Sequence, residues 1–355
     1  MHTKLFIPGP VEVLPEVLEK MATPMIGHRT KAASALQESI SGKIQKVFYT
    51  KNTIVLSTSS GTGLMESAIR CCTAKKAAVF SIGDFGDRWH KMALVNGKVA
   101  DKFKVENGQA TQAADVDAAL STGEYDVVTI THNETSTGVM NPIAEIAAVV
   151  KKYPDVVFLV DTVSSMAGTY IPVDELGIDV CITSSQKCLG LPPGLSVASV
   201  SDKAYERAKT VTNRGLYFDL VSLVEKARKK NQYPSTPTLS HMFALDYQLD
   251  RILAEGLDNR YARHIEMAEY VRNWARKYFA IYPDERYLSN TLTNVTNTRG
   301  ISVADLNGDL GKRGLMISNG YGDLKEKTFR IAHMADCTMA DIKEVTDAIV
   351  DILGL

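Results

Sequence analysis

The sequence predicts an α/β fold, in which a large domain with a mainly parallel central sheet precedes a smaller C-terminal α+β domain. Short β-branched apolar segments alternate with helix-spaced apolar segments through the first two thirds of the 355-residue chain, which is typical of βα units. From about Leu239 the pattern changes to long, charged, amphipathic helices followed by further strands. We therefore predict an N-terminal segment over residues 1–15, a large domain over 16–240 and a small domain over 241–355.

The predicted elements follow from this alternation in chain order. The runs predicted as buried strands of the large domain are Ile54–Ser57, Ala77–Ile82, Asp126–Thr131, Val156–Val160, Val180–Thr183 and Ser196–Val200, with helices such as Gly63–Cys72 and Ile143–Lys152 between them. The small domain is predicted to contain helices Ala244–Glu255 and Arg260–Tyr278, strands at Thr291–Thr298, around Leu315–Ser318 and at Thr328–His333, and a closing helix Met339–Leu353. Because such a sheet binds ligands at the carboxyl ends of its strands, functional residues are expected there.

Composition argues against several classes of partner. Forty basic against 41 acidic residues give a formal net charge of -1, so no overall charge favours nucleic acid or an anionic membrane. The apolar runs are strand-sized rather than membrane-sized, and Pro8 interrupts the N-terminus before a signal peptide can develop. The five cysteines form no CxxC pair and lie near no histidine cluster, so neither a disulfide framework nor a metal site is predicted. We expect a small-molecule ligand and a cytoplasmic location.

Two polar segments follow predicted strands. The segment Ser59–Gly63 lies between a strand and a helix, where glycines and the helix N-terminus can receive an anion such as phosphate. Taken alone, this segment is more often a plain tight turn. The segment Thr131–Gly138 carries hydroxyls that could hydrogen-bond a phenolic oxygen, although a capped loop before the next helix is the alternative.

Two charged residues also stand at strand ends. Asp161 follows the apolar strand Val156–Val160, where a buried carboxylate is costly unless a cation such as a pyridinium nitrogen meets it. An N-cap or turn role for Asp161 is about equally consistent with this position. Lys187 follows the strand Val180–Thr183, and its amine could form a Schiff base with an aldehyde cofactor, although an ordinary loop lysine is the alternative. The four features in this order supply every group that a pyridoxal phosphate site requires.

With these residues the chain resembles the class V pyridoxal phosphate-dependent aminotransferases, specifically the alanine–glyoxylate, serine–glyoxylate and serine–pyruvate group. The motifs that carry the resemblance are Pro8-Gly9-Pro10, Met25–Arg29, Ser60–Gly63, His132–Thr135, Val160-Asp161, Ser185–Lys187 and Phe329–Ile331. The resemblance implies fold type I and a homodimer with shared active sites. It also implies ping-pong transfer of an amino group from alanine or serine to glyoxylate or pyruvate.

The resemblance further implies how the cofactor would be held. Lys187 would be the catalytic residue, because it would bind the cofactor and then carry the proton between the substrate Cα and the cofactor. Asp161 would pair with the pyridine nitrogen, Val163 would pack under the ring, and Thr135 would contact the phenolic oxygen. Phe85 would stack on the ring where many relatives carry tryptophan, although a core position fits this phenylalanine equally well.

The phosphate and the substrate have implied contacts of their own. The residues implied to hold the phosphate are Gly61, Thr62 and Gln186, joined by Tyr233 and Thr236 from the neighbouring subunit. Arg330 would be the fork for the substrate α-carboxylate, a task that suits planar bidentate geometry. Gly9 and His28 would also lie at the substrate.

Alternatives remain open at this level. A cysteine desulfurase typically has a histidine before the lysine, a histidine on the ring and a mobile cysteine. Here Gln186 and Phe85 occupy the first two places, and Cys337 matches the third only loosely. A non-catalytic binding protein would have no chemical need for Lys187 and Asp161.

A transaminase with a ureidoglycine, aspartate or aminoethylphosphonate donor is a further alternative. His28, Arg29 and Arg214 could then contact a distal polar group of that donor. A structural, ion-pairing turn at His28-Arg29 is equally consistent with the sequence.

Overall fold

The structure, a computed structural model, describes residues 2–355. Its strands are β1 Lys4–Phe6, β2 Thr53–Ser57, β3 Ala77–Ser81, β4 Ala100–Lys104, β5 Val127–Thr131, β6 Asn133–Glu134, β7 Val139–Met140, β8 Val157–Asp161, β9 Val180–Ser184, β10 Ser196–Val200, β11 Ala280–Ile281, β12 Leu292–Thr296, β13 Leu315–Asn319 and β14 Thr328–Ala332. Its helices are α1 Pro15–Met21, α2 Lys31–Val47, α3 Gly61–Cys72, α4 Asp84–Val95, α5 Ala113–Leu120, α6 Ile143–Val150, α7 Val173–Leu176, α8 Asp202–Thr210, α9 Leu220–Lys230, α10 Leu239–Glu255, α11 Leu257–Tyr278, α12 Val303–Lys312 and α13 Met339–Leu353, with short 3-10 turns at Glu285–Tyr287 and Gly322–Leu324. Across the described residues, none of these helices combines the length and the apolar composition needed to cross a membrane.

A seven-stranded sheet with the order β2-β10-β9-β8-β5-β3-β4 forms the centre of the chain. Neighbouring strands from β9 to β4 pair in parallel, whereas β10 is antiparallel to both β9 and β2. All six strands predicted from apolar runs are present in it, and the predicted α/β class is confirmed. The edge strand β4 was not predicted, because Asp101, Lys102 and Lys104 interrupt its apolar pattern and only one neighbour pairs with it.

Helices cover both faces of this sheet, which explains why its strands are continuous apolar runs. Successive residues of β8 belong to different buried apolar clusters. Phe158 packs with apolar residues of α2, α5, α6 and α10, whereas Leu159 packs with residues of α3, α4, α8 and α9. Strands β3, β5, β8, β9 and β10 are buried along their whole length. The polar residues at their carboxyl ends are therefore held by a rigid core.

A second sheet contains five strands in the order β1-β13-β14-β12-β11. The N-terminal strand β1, for which no strand was predicted, pairs in parallel with β13, so the N-terminal segment adds a strand to the C-terminal sheet. Three residues are too short to display a period in the sequence. Phe6 packs with Trp274, Phe329 and Val345, which ties β1 to helices α11 and α13.

Candidate active site

A cleft of about 310 Å³ opens at the carboxyl ends of the parallel strands. Eight of the residues predicted for the site line it together, namely Gly9, Gly61, Thr62, Phe85, Asp161, Val163, Gln186 and Lys187. They come from the N-terminal segment and from the loops after β2, β3, β8 and β9. The expectation that functional side chains gather at this edge of the sheet is met.

Lys187 is a buried amine in this cleft. Its side chain is only 8% exposed, and burial lowers the pKa of its amine to about 8. Its Nζ donates a hydrogen bond to the carbonyl of Pro8. Gly9, at a φ of +102°, lies so close that a Cβ there would stand 2.7 Å from Lys187 Nζ. The Pro8-Gly9 segment therefore holds the amine, and the lowered pKa makes a larger fraction of that amine neutral and nucleophilic near neutral pH than in an exposed lysine.

Asp161 is the last residue of β8 and is buried as well. Burial raises the pKa of its carboxyl to about 7, against the opposing effect of the Val163 N–H, which donates to Oδ1 at 2.8 Å. The turn role that the sequence allowed for Asp161 is therefore present, and it accounts for one of the two carboxylate oxygens. A cationic partner inside the cleft would stabilise the ionised form.

The predicted anion loop stands at the N-terminus of α3. Gly61 and Thr62, the first two residues of this helix, line the cleft, so the positive end of the helix dipole faces it. A Cβ on Gly61 would lie 2.6 Å from Val163 Cγ2, so only glycine fits here. Ser184 Oγ accepts from the Gly61 N–H at 3.2 Å and donates to Gln186 Oε1, which fastens α3 to the end of β9.

Arg88 also lines the cleft, and the sequence reasoning missed it. Its Nη1 donates to Thr62 Oγ1 at 2.9 Å, and its guanidinium lies 4.6 Å from the centre of the Phe85 ring. Within residues 2–355 no carboxylate lies close enough to pair with it. Its spacing of three residues from Phe85, which places both on one side of α4, was the available signal. Arg88 adds positive charge between the predicted stacking ring and the predicted phosphate loop.

Arg330 and Thr135 were predicted for the site but do not line the cleft. Arg330 is 6% exposed and donates to the carbonyls of Asn319 and Thr135 at 2.9–3.1 Å, and to Ser318 Oγ at 2.9 Å. Burial lowers the pKa of its guanidinium to about 10. No carboxylate of the described chain pairs with Arg330, so its charge is available to an anionic ligand.

Tyr321, another residue that the sequence reasoning missed, connects Arg330 to the cleft. Its ring centre lies 5.5 Å from Arg330 Cζ and 5.8 Å from the centre of the Phe85 ring. The adjacent Gly320 has no room for a side chain, since a Cβ there would stand 2.0 Å from the carbonyl oxygen of Leu324. An aromatic ring therefore lies between Phe85 in the cleft and Arg330, the predicted carboxylate fork.

Tyr233, Thr236 and His28 were predicted for the site but do not line the cleft. Tyr233 is buried, Thr236 is exposed and His28 is half-buried. Arg29 donates to the backbone carbonyls of Tyr233, Pro234 and Ser235. The Gly27–Arg29 turn and the 233–236 segment thus form one surface unit, in which Arg29 binds carbonyls rather than forming the ion pair that the sequence allowed.

Two other groups considered from the sequence are engaged elsewhere. Arg214 pairs with Asp219 at 2.8 Å and donates to the carbonyl of Val211. Cys337 does not line the cleft, and burial raises the pKa of its thiol to about 12. A thiol that resists ionisation is a poor nucleophile. In residues 2–355, no three His, Cys, Asp or Glu side chains gather as a metal ion would require.

Comparison with known proteins identifies a family. The family model described as aminotransferase class-V matches residues 12–343. An uncharacterized aminotransferase of Methanocaldococcus jannaschii is 41% identical, covering 94% of this chain and 88% of that protein. An L-aspartate–glyoxylate aminotransferase of Paracoccus denitrificans is 31% identical over 95% of this chain and 87% of its own. The crystal structure of an alanine–glyoxylate aminotransferase from Nostoc sp. superposes with a TM-score of 0.93 at 27% identity, covering 99% of this chain and 96% of the other.

Proposed function

The chain belongs to the class V aminotransferases, and from that premise we propose that it uses pyridoxal phosphate to move an amino group from a small amino acid to glyoxylate or pyruvate. The observation that carries the proposal is the gathering of Lys187, Asp161 and the Gly61-Thr62 helix start in one cleft. A buried amine, a buried carboxylate and an anion site are the three groups that an aldehyde, a pyridine nitrogen and a phosphate need.

The residues present fit this cofactor. Gly61 has no side chain, and a Cβ at this position would fill the space beside Val163. It stands at the N-terminus of α3, where a phosphate is stabilised. The raised pKa of Asp161 would fall beside a pyridinium, so the pair would gain from each other's charge. When bound, pyridoxal phosphate supplies an aldehyde that exchanges amino groups and a ring that accepts the electrons released at the substrate Cα.

Each residue has a defined task in the proposed reaction. Lys187 would hold the cofactor through its amine, and the same amine, when free, would remove and return the Cα proton of the substrate. Its lowered pKa keeps part of the amine unprotonated for both tasks. Asp161 would favour the protonated form of the ring nitrogen, and Arg330 would bind the α-carboxylate with its planar fork.

Alanine or serine is the proposed donor. Support comes from the modest cleft volume, about 310 Å³, because it must hold the cofactor together with the substrate. The likeness to an alanine–glyoxylate aminotransferase is consistent with this choice.

Aspartate is a second candidate donor. Arg88 is a cation in the cleft without a carboxylate partner in the described chain, and a distal carboxylate would supply one. The relative from Paracoccus denitrificans is named for aspartate.

The half-reaction with single amino acids tests the donor. The holoenzyme is mixed with alanine, serine or aspartate in turn, and the visible absorbance of the cofactor is followed. We expect alanine or serine to bleach the band and Lys187→Ala to abolish turnover. Bleaching by aspartate alone would replace the small-donor proposal, and full transaminase activity in Lys187→Ala would overturn the assignment of Lys187.

The active sites are proposed to be shared across a homodimer. Support comes from Tyr233 and Thr236, which lie outside the cleft of their own chain although the family resemblance gives them a phosphate-binding role. Arg29 fixes the backbone of their segment through three carbonyl contacts. A second copy of the chain would bring this segment to the phosphate of its partner.

A further inference from the structure

Glu134 is a fully buried carboxylate that no task of the proposed reaction uses. Its Oε2 accepts hydrogen bonds from the backbone N–H groups of Phe85 at 3.1 Å and Gly86 at 3.0 Å. Its Oε1 accepts from the Ser136 N–H at 3.1 Å and from Ser136 Oγ at 2.6 Å. No arginine or lysine of the described residues pairs with it. Burying a carboxylate without a cation is costly, so the four donors have to offset that cost.

The donors to Glu134 are placed at the start of α4. This helix begins at Asp84, so the N–H groups of Phe85 and Gly86 belong to its first turn and have no partner within the helix. Ser136 Oγ accepts the preceding N–H, that of Asp84, at 3.1 Å. Glu134 and Ser136 together therefore hold three consecutive N–H groups, and a negative charge at this end of the helix is favoured by the dipole.

Close packing makes this arrangement specific. A Cβ on Gly83 would lie 2.5 Å from Ser136 Oγ and 2.6 Å from Glu134 Cγ, so only glycine lets the chain approach the carboxylate this closely. The turn from β3 into α4 is thus wrapped around the Glu134 side chain. Phe85, the second residue of α4, lines the cleft, whereas Glu134 does not.

We propose that Glu134 is a positioning residue that fixes the Phe85 ring against the pyridine ring of the cofactor, acting through the first turn of α4. This rests on the proposed function, in which Phe85 stacks on pyridoxal phosphate. The backbone of Phe85 is held at its own N–H, so the origin of its side chain cannot shift without losing a charged hydrogen bond. An aromatic side chain that is already held in place before the cofactor binds does not have to be ordered on binding, which favours a higher affinity.

Glu134→Gln tests this with little change in volume. The amide would present an NH₂ group to at least one N–H donor, so contacts that the carboxylate accepts are lost. We expect the dissociation constant of pyridoxal phosphate to rise roughly tenfold to a hundredfold. The visible circular dichroism of the bound cofactor, which reports the asymmetry of its surroundings, should weaken.

Asp87→Asn is the matched control. Asp87 is also an acidic residue in the first turn of α4, and it accepts from Ser81 Oγ and Lys104 Nζ, both at 2.8 Å, outside the cleft. Its substitution should lower thermal stability and leave the dissociation constant and the dichroism of the cofactor within about twofold of the wild type. If both substitutions change the dissociation constant and the dichroism of the cofactor equally, Glu134 only stabilises α4 in general, and the proposal is overturned.

A double-mutant cycle with Phe85→Ala tests whether Glu134 influences cofactor binding through Phe85. If Glu134 acts through Phe85, Glu134→Gln weakens cofactor binding in the wild type but hardly changes it in the Phe85→Ala background. An undiminished effect in that background would contradict the proposal. Ser136→Ala, a milder change in the same network, replaces Glu134→Gln in the cycle if the latter does not fold. Failure of the wild type itself to bind the cofactor would instead overturn the proposed function.

Discussion

Two residues in the cleft, Lys187 and Asp161, have pKa values that burial moves toward neutrality from opposite sides. The amine becomes easier to deprotonate, with a pKa of about 8, and the carboxyl becomes harder to deprotonate, with a pKa of about 7. Both pKa shifts arise because the low-dielectric interior disfavours the charged form of each group. Acid–base groups that titrate near the working pH are suited to proton transfer, which is what the proposed mechanism asks of Lys187.

The first residue-scale prediction concerns Asp161→Asn in the protein without cofactor. The folded pKa of Asp161 lies above its ordinary value of 3.8, so the folded state binds more protons than the unfolded state between about pH 4 and 7. The free energy of unfolding contributed by this group therefore falls as the pH rises through that window. Asparagine does not ionise, so the free energy of unfolding no longer falls in this window, and its side-chain oxygen can still accept the hydrogen bond from the Val163 N–H.

We expect Asp161→Asn to be more stable than the wild type above pH 7, by about 2–4 kcal/mol, and to approach it near pH 4. Urea titrations at a series of pH values measure the difference. A stability difference that does not change between pH 4 and pH 8 would contradict the assigned pKa. With cofactor bound, the same substitution should be unfavourable, because the pyridine nitrogen loses its partner.

At this scale the sequence predicted cleft residues that stand at or shortly after the end of a buried strand. Asp161 and Lys187 were singled out because a charge after an apolar run requires a partner, and both line the cleft. Arg88 was missed because it lies inside a helix, one turn beyond the residue singled out there. Glu134 stood within a segment recognised as polar, but only the hydroxyls of that segment were given a role, since nothing in the sequence shows which backbone N–H groups will meet it.

Among the elements, the start of α3 carries the predicted anion site, and a pair of glycine substitutions tests it. Gly61→Ala adds a Cβ 2.6 Å from Val163 Cγ2, so Val163 or the helix start must move. We expect at least a tenfold weaker affinity for pyridoxal phosphate, together with a loss of about 1–3 kcal/mol in stability from overpacking. Fluorescence titration with the cofactor and thermal melts give both quantities.

Gly42→Ala is the control for that substitution. Gly42 lies inside α2, and a Cβ there would meet nothing within 4 Å. Alanine should stabilise the helix by about 0.5–1 kcal/mol and leave cofactor affinity unchanged. An anion site elsewhere in the protein would be indicated if Gly61→Ala and Gly42→Ala bound the cofactor equally well.

Two strands that the sequence did not predict, β1 and β4, share a physical reason. Both β1 and β4 are edge strands, with one partner each, and neither is buried on both faces. A strand that is not buried on both faces does not need a continuous apolar run, so the pattern that predicts the central strands is absent from β1 and β4. The central strands, buried throughout, could be located to within one or two residues.

For the molecule as a whole, the site depends on contacts between the five-stranded sheet and the segments that surround the seven-stranded sheet. Arg330 on β14 of the five-stranded sheet donates to the carbonyl of Thr135, which follows β6 beside the seven-stranded sheet. Lys4 of β1 pairs with Asp341 at 2.8 Å, so the segment that leads to Gly9 is fastened to α13. These long-range pairings decide where Arg330, the proposed carboxylate fork, lies, and no local sequence pattern contains them.

Hybrid dimers test the proposed sharing of active sites. In a mixture of Lys187→Ala and Thr236→Ala subunits, a hybrid dimer would contain one site with Lys187 and the Thr236 of its partner both intact. After equal mixing and re-association we expect at least about a quarter of the wild-type activity, which is above the mean of the two variants measured alone. Activity that never exceeds the mean of the two parents would show that Thr236 serves its own chain.

The position of the cofactor is the most direct test of the account. The purified protein is saturated with pyridoxal phosphate, reduced with borohydride to make the linkage permanent, digested and analysed by mass spectrometry. We expect one modified site, Lys187, in the peptide that contains Ser185 and Gln186, and no modification in Lys187→Ala. Modification of a different lysine, or none at all, would contradict the claim that Lys187 holds the cofactor.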